Sequence, residues 1–346
     1  MSTQPARPLF IHAMTLRPVA GCNDVRVILP CQALAAEPGV RVAIQESGAN
    51  LGLARAGEDK VFLWQRPILR RDDAFSALRR LIERGNVVIT EFDDHPKVLP
   101  DIQANGFLNY TGVHAVQTST EPLAQLFRRW NPNVAVFPNA LEKLPPLRAQ
   151  RSGPLTLVFA ALRREADAAP ILPVLNAVIA ESAQPVQVTV VHDRAFFDAL
   201  ATDRKTFHPM LPYARYLEVL DSAHINLIPL LDDEFRRMKS DVKFIESAAH
   251  GAVALASPTV YGRTLRHGET GMIFRNPREF GTHLRALIAR PELRHSLARS
   301  AWEYVSRERM LSQQVGMRLA WYRELCERRE ELTAQLYARL PELIPP

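Results

Sequence analysis

No run of about 18 consecutive apolar residues occurs in the chain, so an ordinary membrane-spanning helix is not expected. Cysteine is scarce too. Cys22, Cys31 and Cys326 make an odd count without a C-x-x-C spacing, which argues against a disulfide framework or a structural zinc site. Each thiol reads as a small hydrophobe, and the usage fits a reducing, cytoplasmic setting. No block of like charge is present either. The net charge of +6, with a pI near 9.4, is spread along the chain. That balance favours anionic partners such as nucleotides, phosphates or acidic lipid surfaces, and it speaks against a dedicated nucleic-acid arm. There is no G-x-G-x-x-G fingerprint, no Ser-His-Asp or Cys-His constellation with supporting spacing, and no internal repeat. The first residues, MSTQPARPLFIHAM, carry one arginine and a very short apolar run, and read as a first strand in place of a signal peptide.

What is present is alternation. LFIHAM, VRVAI, KVFLW, NVVIT, VHAVQT and NVAVFP are short apolar runs of strand character in the first half. Between them lie helical patterns. Asp72 to Glu83 places Phe75, Leu78, Leu81 and Ile82 on one stripe, and Ser119 or Thr120 caps a helix whose first turn holds Pro122. Ala140 to Pro154 is rich in proline and charge, has no apolar period, and reads as a linker. Alternation then resumes with PLTLVFAAL, VQVTVV, HINLIPL, AVALAS and GMIF as strands. Two such halves predict two parallel sheets with helices on both faces, and ligands in such folds bind beyond the carboxyl ends of the strands. From Pro291 the chain is helical and very charged, as a solvated tail packing across both domains would be.

The segment from Lys239 to Ile273 is the most informative. Helical spacing puts Lys239, Lys243 and Glu246 on one face, Gly251 stands where the helix should stop, and Ala252 to Ala256 has the character of a short interior strand. Two cations and a carboxylate on one face suit a sugar nucleotide: the cations neutralise a diphosphate and the carboxylate accepts ribose hydroxyls. Alone, a lysine and a glutamate three apart are a surface ion pair worth under about 1 kcal/mol. The glycine stop, the strand and the loop Gly268-Glu269-Thr270-Gly271 make the combination specific.

Glu246, Ala249-His250-Gly251, the run from Ala252 to Ser257, Gly268 to Gly271 and Asn276-Pro277 together resemble the donor domain of GT-B glycosyltransferases, nearest the large retaining family four. Residues 158–167, 87–96, 116–125 and 136–141 are similar to further segments of that family. The resemblance implies an α/β GT-B fold, with two Rossmann-like domains whose parallel sheets face across a cleft, plus C-terminal helices. It implies an acceptor domain over residues 1–145, a nucleotide-sugar donor domain over 146–308 and a helical tail over 309–346. Glu246 then holds the donor ribose, and Lys243 or Lys239 meets the diphosphate with Arg163 or Arg164 assisting. Ser257 and Tyr261 belong to a donor-binding turn. One departure stands out: the second glutamate usual in the family, eight positions before Glu246, is here Met238.

On the acceptor side the candidates are Asp93, Asp94, His95 and His12. Adjacent residues on an extended chain point in opposite directions, so Asp93 and Asp94 are not expected to share a metal ion, and no metal site is expected. His95 is a candidate for orienting the acceptor or the reacting sugar. Arg128, Arg129 and Trp130 are either an ordinary surface or a patch for peripheral contact with the inner face of an anionic membrane.

The expected activity is transfer of a sugar from a nucleoside-diphosphate sugar, without a further cofactor, to a saccharide, lipid-linked saccharide or protein acceptor in bacterial surface polysaccharide or glycoconjugate synthesis. A sugar-nucleotide epimerase and a non-catalytic GT-B partner subunit are the alternatives, and a nucleic-acid binder is not expected.

Overall fold

Strand formation follows the apolar runs closely. The computed structural model describes residues 7–17, 21–147, 154–162 and 164–345. They form two units, the first comprising the chain up to Asn139 together with Leu311 onward, the second spanning Ala140–Met310.

In the first unit, β1 (Leu9–Met14), β2 (Val40–Gln45), β3 (Asp59–Gln65), β4 (Asn86–Glu91), β5 (Ala115–Thr118) and β6 (Val134–Val136) make one parallel sheet in the order β2-β1-β3-β4-β5-β6. Both faces of its centre are packed, so β4 is buried at every position, with the apolar run Val87, Val88 and Ile89 at its middle, as in interior parallel strands. The helix Arg71–Glu83 lays Ala74, Leu78 and Leu81 into the core, and Thr120 caps the helix Glu121–Phe127 through its side chain. The first crossover opens with a π-helical turn, Asp24–Ile28, that buries Arg26.

The second unit repeats the plan. Strands β7 (Leu155–Ala160), β8 (Val186–Val191), β9 (Lys205–His208), β10 (Ile225–Ile228), β11 (Val253–Ala256) and β12 (Met272–Ile273) are parallel in the order β12-β11-β10-β7-β8-β9. This is the doubly wound order, with its reversal between β7 and β10. Leu157, Phe159, Val188, Val190 and Leu227 are central to its core.

Part of the sequence-read linker packs as structure. Leu141 N donates to Arg309 O at 2.8 Å, and Trp302 Nε1 donates to Pro145 O at 2.9 Å, both within the second unit. The rest of that linker, residues 148–153, lies outside the described residues. The charged C-terminal stretch is less solvated than its composition suggests. The helix Pro291–Glu308 belongs to the second unit, while Val315–Glu327 and Arg329–Arg339 return to the first and bury Tyr322, Leu325, Leu332 and Leu336.

Candidate functional site

The helix Val242–Ala249 is tied to both strands at the reversal of the second sheet. Lys243 Nζ donates to the carbonyl of Ala160, the last residue of β7, at 2.5 Å. Asn226 Nδ2 on β10 donates to Ser247 Oγ at 2.6 Å. The helix stops as its sequence suggests: Gly251 takes φ 65°, a conformation that costs glycine little, and Ala252 N closes the turn on Ser247 O at 2.9 Å. In the loop that follows β11, Gly271 is required by close approach, because a Cβ there would lie 2.9 Å from the carbonyl oxygen of Ala254.

Glu246 is 4% exposed, and each of its oxygens accepts a phenol. Tyr213 and Tyr216 donate to Oε1 and Oε2, each at 3.0 Å. Both tyrosines come from the helix Tyr213–Ser222, where residues three apart share a face. Burial is the largest influence on Glu246 and raises its pKa, while Lys243 and the two hydroxyls act the other way. Burial also pushes the Lys243 ammonium down to about 8, against Glu246 and with Arg164. That ammonium lies 5.7 Å from the centre of the Tyr216 ring. Each carboxylate oxygen has a second lone pair, and Nζ has N–H groups beyond the one on Ala160, so both residues retain capacity to bind a ligand.

A second layer of charge forms on the loops after β7 and β10. Asp167, fully buried, accepts from Arg164 Nη1 at 3.2 Å and from Leu231 N at 2.9 Å, and also takes Arg236 Nε. Two guanidinium groups therefore converge on one carboxylate at the reversal point. Arg163 lies outside the described residues. Ser257 Oγ accepts Leu230 N at 2.9 Å and so pins the loop after β10 to the end of β11. Tyr261 is 3% exposed, and burial pushes its phenol upward.

One candidate is moved by the structure. Lys239 is not on the face of Lys243 and Glu246, because the helix begins only at Val242 and Lys239 closes a short 3-10 turn, Arg236–Met238. Asp241 explains the late start. Its carboxylate is held bidentately by Arg309, at 2.5 and 2.8 Å, while its carbonyl accepts the first amides of the helix. Lys239 Nζ instead sits 5.5 Å from the Phe235 ring centre.

In the first unit, Asp93 and Asp94 do not diverge as extended neighbours would. They lie beyond the end of β4, and both reach Arg66: Nε to Asp93 Oδ1 at 2.7 Å, and Nη2 to Asp94 Oδ2 at 3.0 Å. Arg66 takes φ 42°, in the left-handed region that non-glycine residues seldom adopt. His95 caps a short turn, its Nδ1 accepting Lys97 N at 3.1 Å. His12 is central in β1, 1% exposed, with Nε2 2.6 Å from Gln45 Oε1 and its ring edge-on to Phe62. Trp130 is stacked on Phe107, and Arg128 pairs with Glu121. Among the described residues, no group of three or more metal-ligating side chains comes together.

Sequence reading missed Arg66, Asp167, Arg236 and the tyrosine pair. Only the pair had a signal, the spacing Y-x-x-Y in a helical stretch.

Residues 174–317 match a family model described as glycosyl transferase-like. No curated protein matches the chain in sequence. Among solved structures, a sucrose-phosphate synthase from Thermosynechococcus elongatus is 15% identical with a TM-score of 0.64, over 92% of this chain and 99% of that one. Anabaena HepE in complex with UDP-glucose is 11% identical with a TM-score of 0.62, over 90% and 99%. A variant of TarM from S. aureus is 9% identical with a TM-score of 0.58; this chain spans only 55% of its length. The fold is that of the GT-B glycosyltransferases, and the segment matched by the glycosyl transferase-like model covers most of the second unit.

Proposed function

We propose that the enzyme transfers a sugar from a nucleoside-diphosphate sugar held in the second unit to a saccharide, lipid-linked saccharide or protein acceptor, in the synthesis of a bacterial surface polysaccharide or glycoconjugate. One observation carries the reading: Lys243 and Glu246 lie one helical turn apart on a helix tied to β10 and, through Lys243 itself, to the carboxyl end of β7, the end at which doubly wound sheets bind nucleotides. Lys243 would neutralise the diphosphate, and its charge would stabilise the leaving group as the glycosidic bond to phosphate breaks. Glu246, held by Tyr213 and Tyr216, would take the ribose hydroxyls on its remaining lone pairs. Asp93 and Asp94, paired with Arg66 beyond the carboxyl end of β4, and His95, which follows them in the chain, are the proposed acceptor-side groups. HepE was solved with UDP-glucose, which makes UDP the first nucleotide to test.

The test is a thermal-shift screen of UDP, GDP, TDP and CMP sugars, since a ligand bound only by the native state raises its stability. A UDP-sugar is expected to raise the melting temperature of the wild type, with the shift abolished in Glu246→Ala. Absence of a shift with all four would sink the reading.

A further inference from the structure

The connection between β2 and β3 is unusual for this architecture. Crossovers in parallel sheets normally lay a helix over the sheet face. Here residues 46–58 contain only the 3-10 turn Leu51–Leu53. The thin cover leaves a cavity of about 340 Å³ on the first sheet, lined by Phe10, His12, Lys60 and Asn86 from the strands, by Leu51, Gly52 and Ala54 from the loop, and by Arg84.

The register explains why these side chains meet. Phe10 is level with Lys60, and Lys60 with Asn86, so the three point to one face at the amino-terminal ends of their strands. His12 is two residues along from Phe10 and shares that face. The cavity therefore lies toward the opposite end of the sheet from Arg66, Asp93 and Asp94.

Its charge is unbalanced. Neither Lys60 nor Arg84 has a carboxylate partner among the described residues. Lys60 Nζ donates instead to the carbonyl of Arg84 at 2.7 Å. Arg329 Nη1 reaches the neighbouring carbonyl of Gly85 at 3.5 Å, bringing a third cation to the same turn. Among the described residues no carboxylate lines the cavity, and Glu58, at the end of the loop, is engaged by Arg41 at 2.5 Å. Two cations lining a partly enclosed space, with a third at the adjoining Gly85 turn, repel one another unless an anion joins them. The buried ring of His12 adds a second sign. One nitrogen is held by Gln45, which also accepts Asn50 N at 3.1 Å, while the other has no hydrogen-bond partner among the described residues.

We propose that this cavity is a binding site for a small phosphomonoester with a polyhydroxylated, sugar-sized body. Lys60, Arg84 and Arg329 match a dianionic phosphate better than a single carboxylate charge. The open nitrogen of His12 and the amide of Asn86 suit hydroxyl groups, and the Phe10 ring suits the C–H face of a sugar. The volume holds more than inorganic phosphate alone. The site is separate from the proposed nucleotide site, which lies entirely in the second unit.

Calorimetric titration of the full chain with glucose 6-phosphate, ribose 5-phosphate, inorganic phosphate and glucose tests the proposal. A sugar phosphate is expected to bind at least tenfold more tightly than inorganic phosphate, and glucose is expected not to bind. Lys60→Ala with Arg84→Ala should weaken the sugar phosphate at least tenfold while leaving UDP-sugar binding unchanged. Lys243→Ala should do the reverse. Arg84 is exposed, so Arg84→Glu alone provides a variant that keeps the fold and should show the same loss. Two results would overturn the proposal: no sugar phosphate binding at millimolar concentration, or binding that persists in the double variant.

Discussion

A buried lysine whose pKa is pushed down to about 8 makes the proposed nucleotide site sensitive to alkaline pH. Below that value Lys243 is a cation facing the position proposed for the diphosphate; above it the charge is lost. UDP-sugar affinity, measured by titration between pH 7 and 9.5, is therefore expected to fall as pH rises through about 8, approaching tenfold per pH unit while the free enzyme deprotonates. Lys243→Met should abolish this dependence along with most of the affinity. The effect on stability has the opposite sign. The folded pKa lies below the unfolded one, so the unfolded chain holds the extra proton between about 8 and 10.4, and this residue's penalty on folding fades as pH rises through that window. Lys243 and Glu246 were legible because helix periodicity places residues three apart together. Tyr213 and Tyr216 were not recognisable as their partners, since packing between two helices separated by many residues leaves no local pattern. Arg66 was hidden for another reason: nothing in R-P-I-L announces a left-handed arginine before Pro67.

The helix that carries Lys243 depends on its ends. Arg309 closes its start through Asp241, and the pair is largely buried, with side chains 9% and 11% exposed. Removing one partner of such a pair strands the other, at a cost of about 3 kcal/mol or more. Arg309→Ala is accordingly expected to lower stability by that order in urea unfolding and to weaken nucleotide binding by loosening the first turn. Asp241→Asn with Arg309→Gln, which removes both charges, should recover much of the stability. Elements were legible where an apolar run coincided with a strand, and failed where it did not. β9 was missed because K-T-F-H is polar, as an edge strand on the last position of a sheet can be. The start of the Val242–Ala249 helix was misplaced because its cap is decided by Arg309, which lies on a distant element. In the first unit the helix Arg329–Arg339 offers a second test. Thr333 Oγ1 is 3.1 Å from His114 Nε2, and His114 Nδ1 accepts Val88 N at 2.9 Å, which requires a neutral ring. Burial, with Arg339 and Arg329 nearby, pushes this histidine down to about 4. As pH falls from about 6.5 toward 4 the unfolded chain takes up the proton first, so about 3 kcal/mol of stability should be lost across that window. His114→Gln should flatten that part of the pH–stability curve.

At the scale of the whole molecule, the alternation of strands and helices made two parallel sheets readable, but the path of the chain was not. Its last segment returns to the first unit, and that return is carried by contacts no composition reveals. Tyr322 OH donates to Gln117 Oε1 at 2.7 Å, and the same glutamine donates to Glu91 at 2.6 Å. Glu91 is in turn fully buried against Arg26, whose Nη1 reaches the carbonyl of Phe137 and the side chain of Asn139 at 2.7 Å. This connected network joins the π-helical crossover, β4, β5, the end of the first segment and the helix Val315–Glu327. Partial removal of such a network leaves buried polar groups unpaired, which is worse than never having had them. The second unit, Ala140–Met310, contains its own sheet, its own core and all of Lys243, Glu246, Tyr213, Tyr216 and Asp167. Two truncations should therefore behave differently. A chain ending at Met310 is expected to lose cooperative unfolding of its first unit, because Gln117 and the hydrophobic surface under Tyr322, Leu325, Leu332 and Leu336 are uncovered. The fragment 140–310 is expected to fold alone and to bind a UDP-sugar within about tenfold of the full chain, while showing no transfer. Circular dichroism and calorimetry on the two fragments would decide it: a fragment 140–310 that folds but fails to bind nucleotide would show that the first unit contributes to the donor site, against the assignment of that site to the second unit alone.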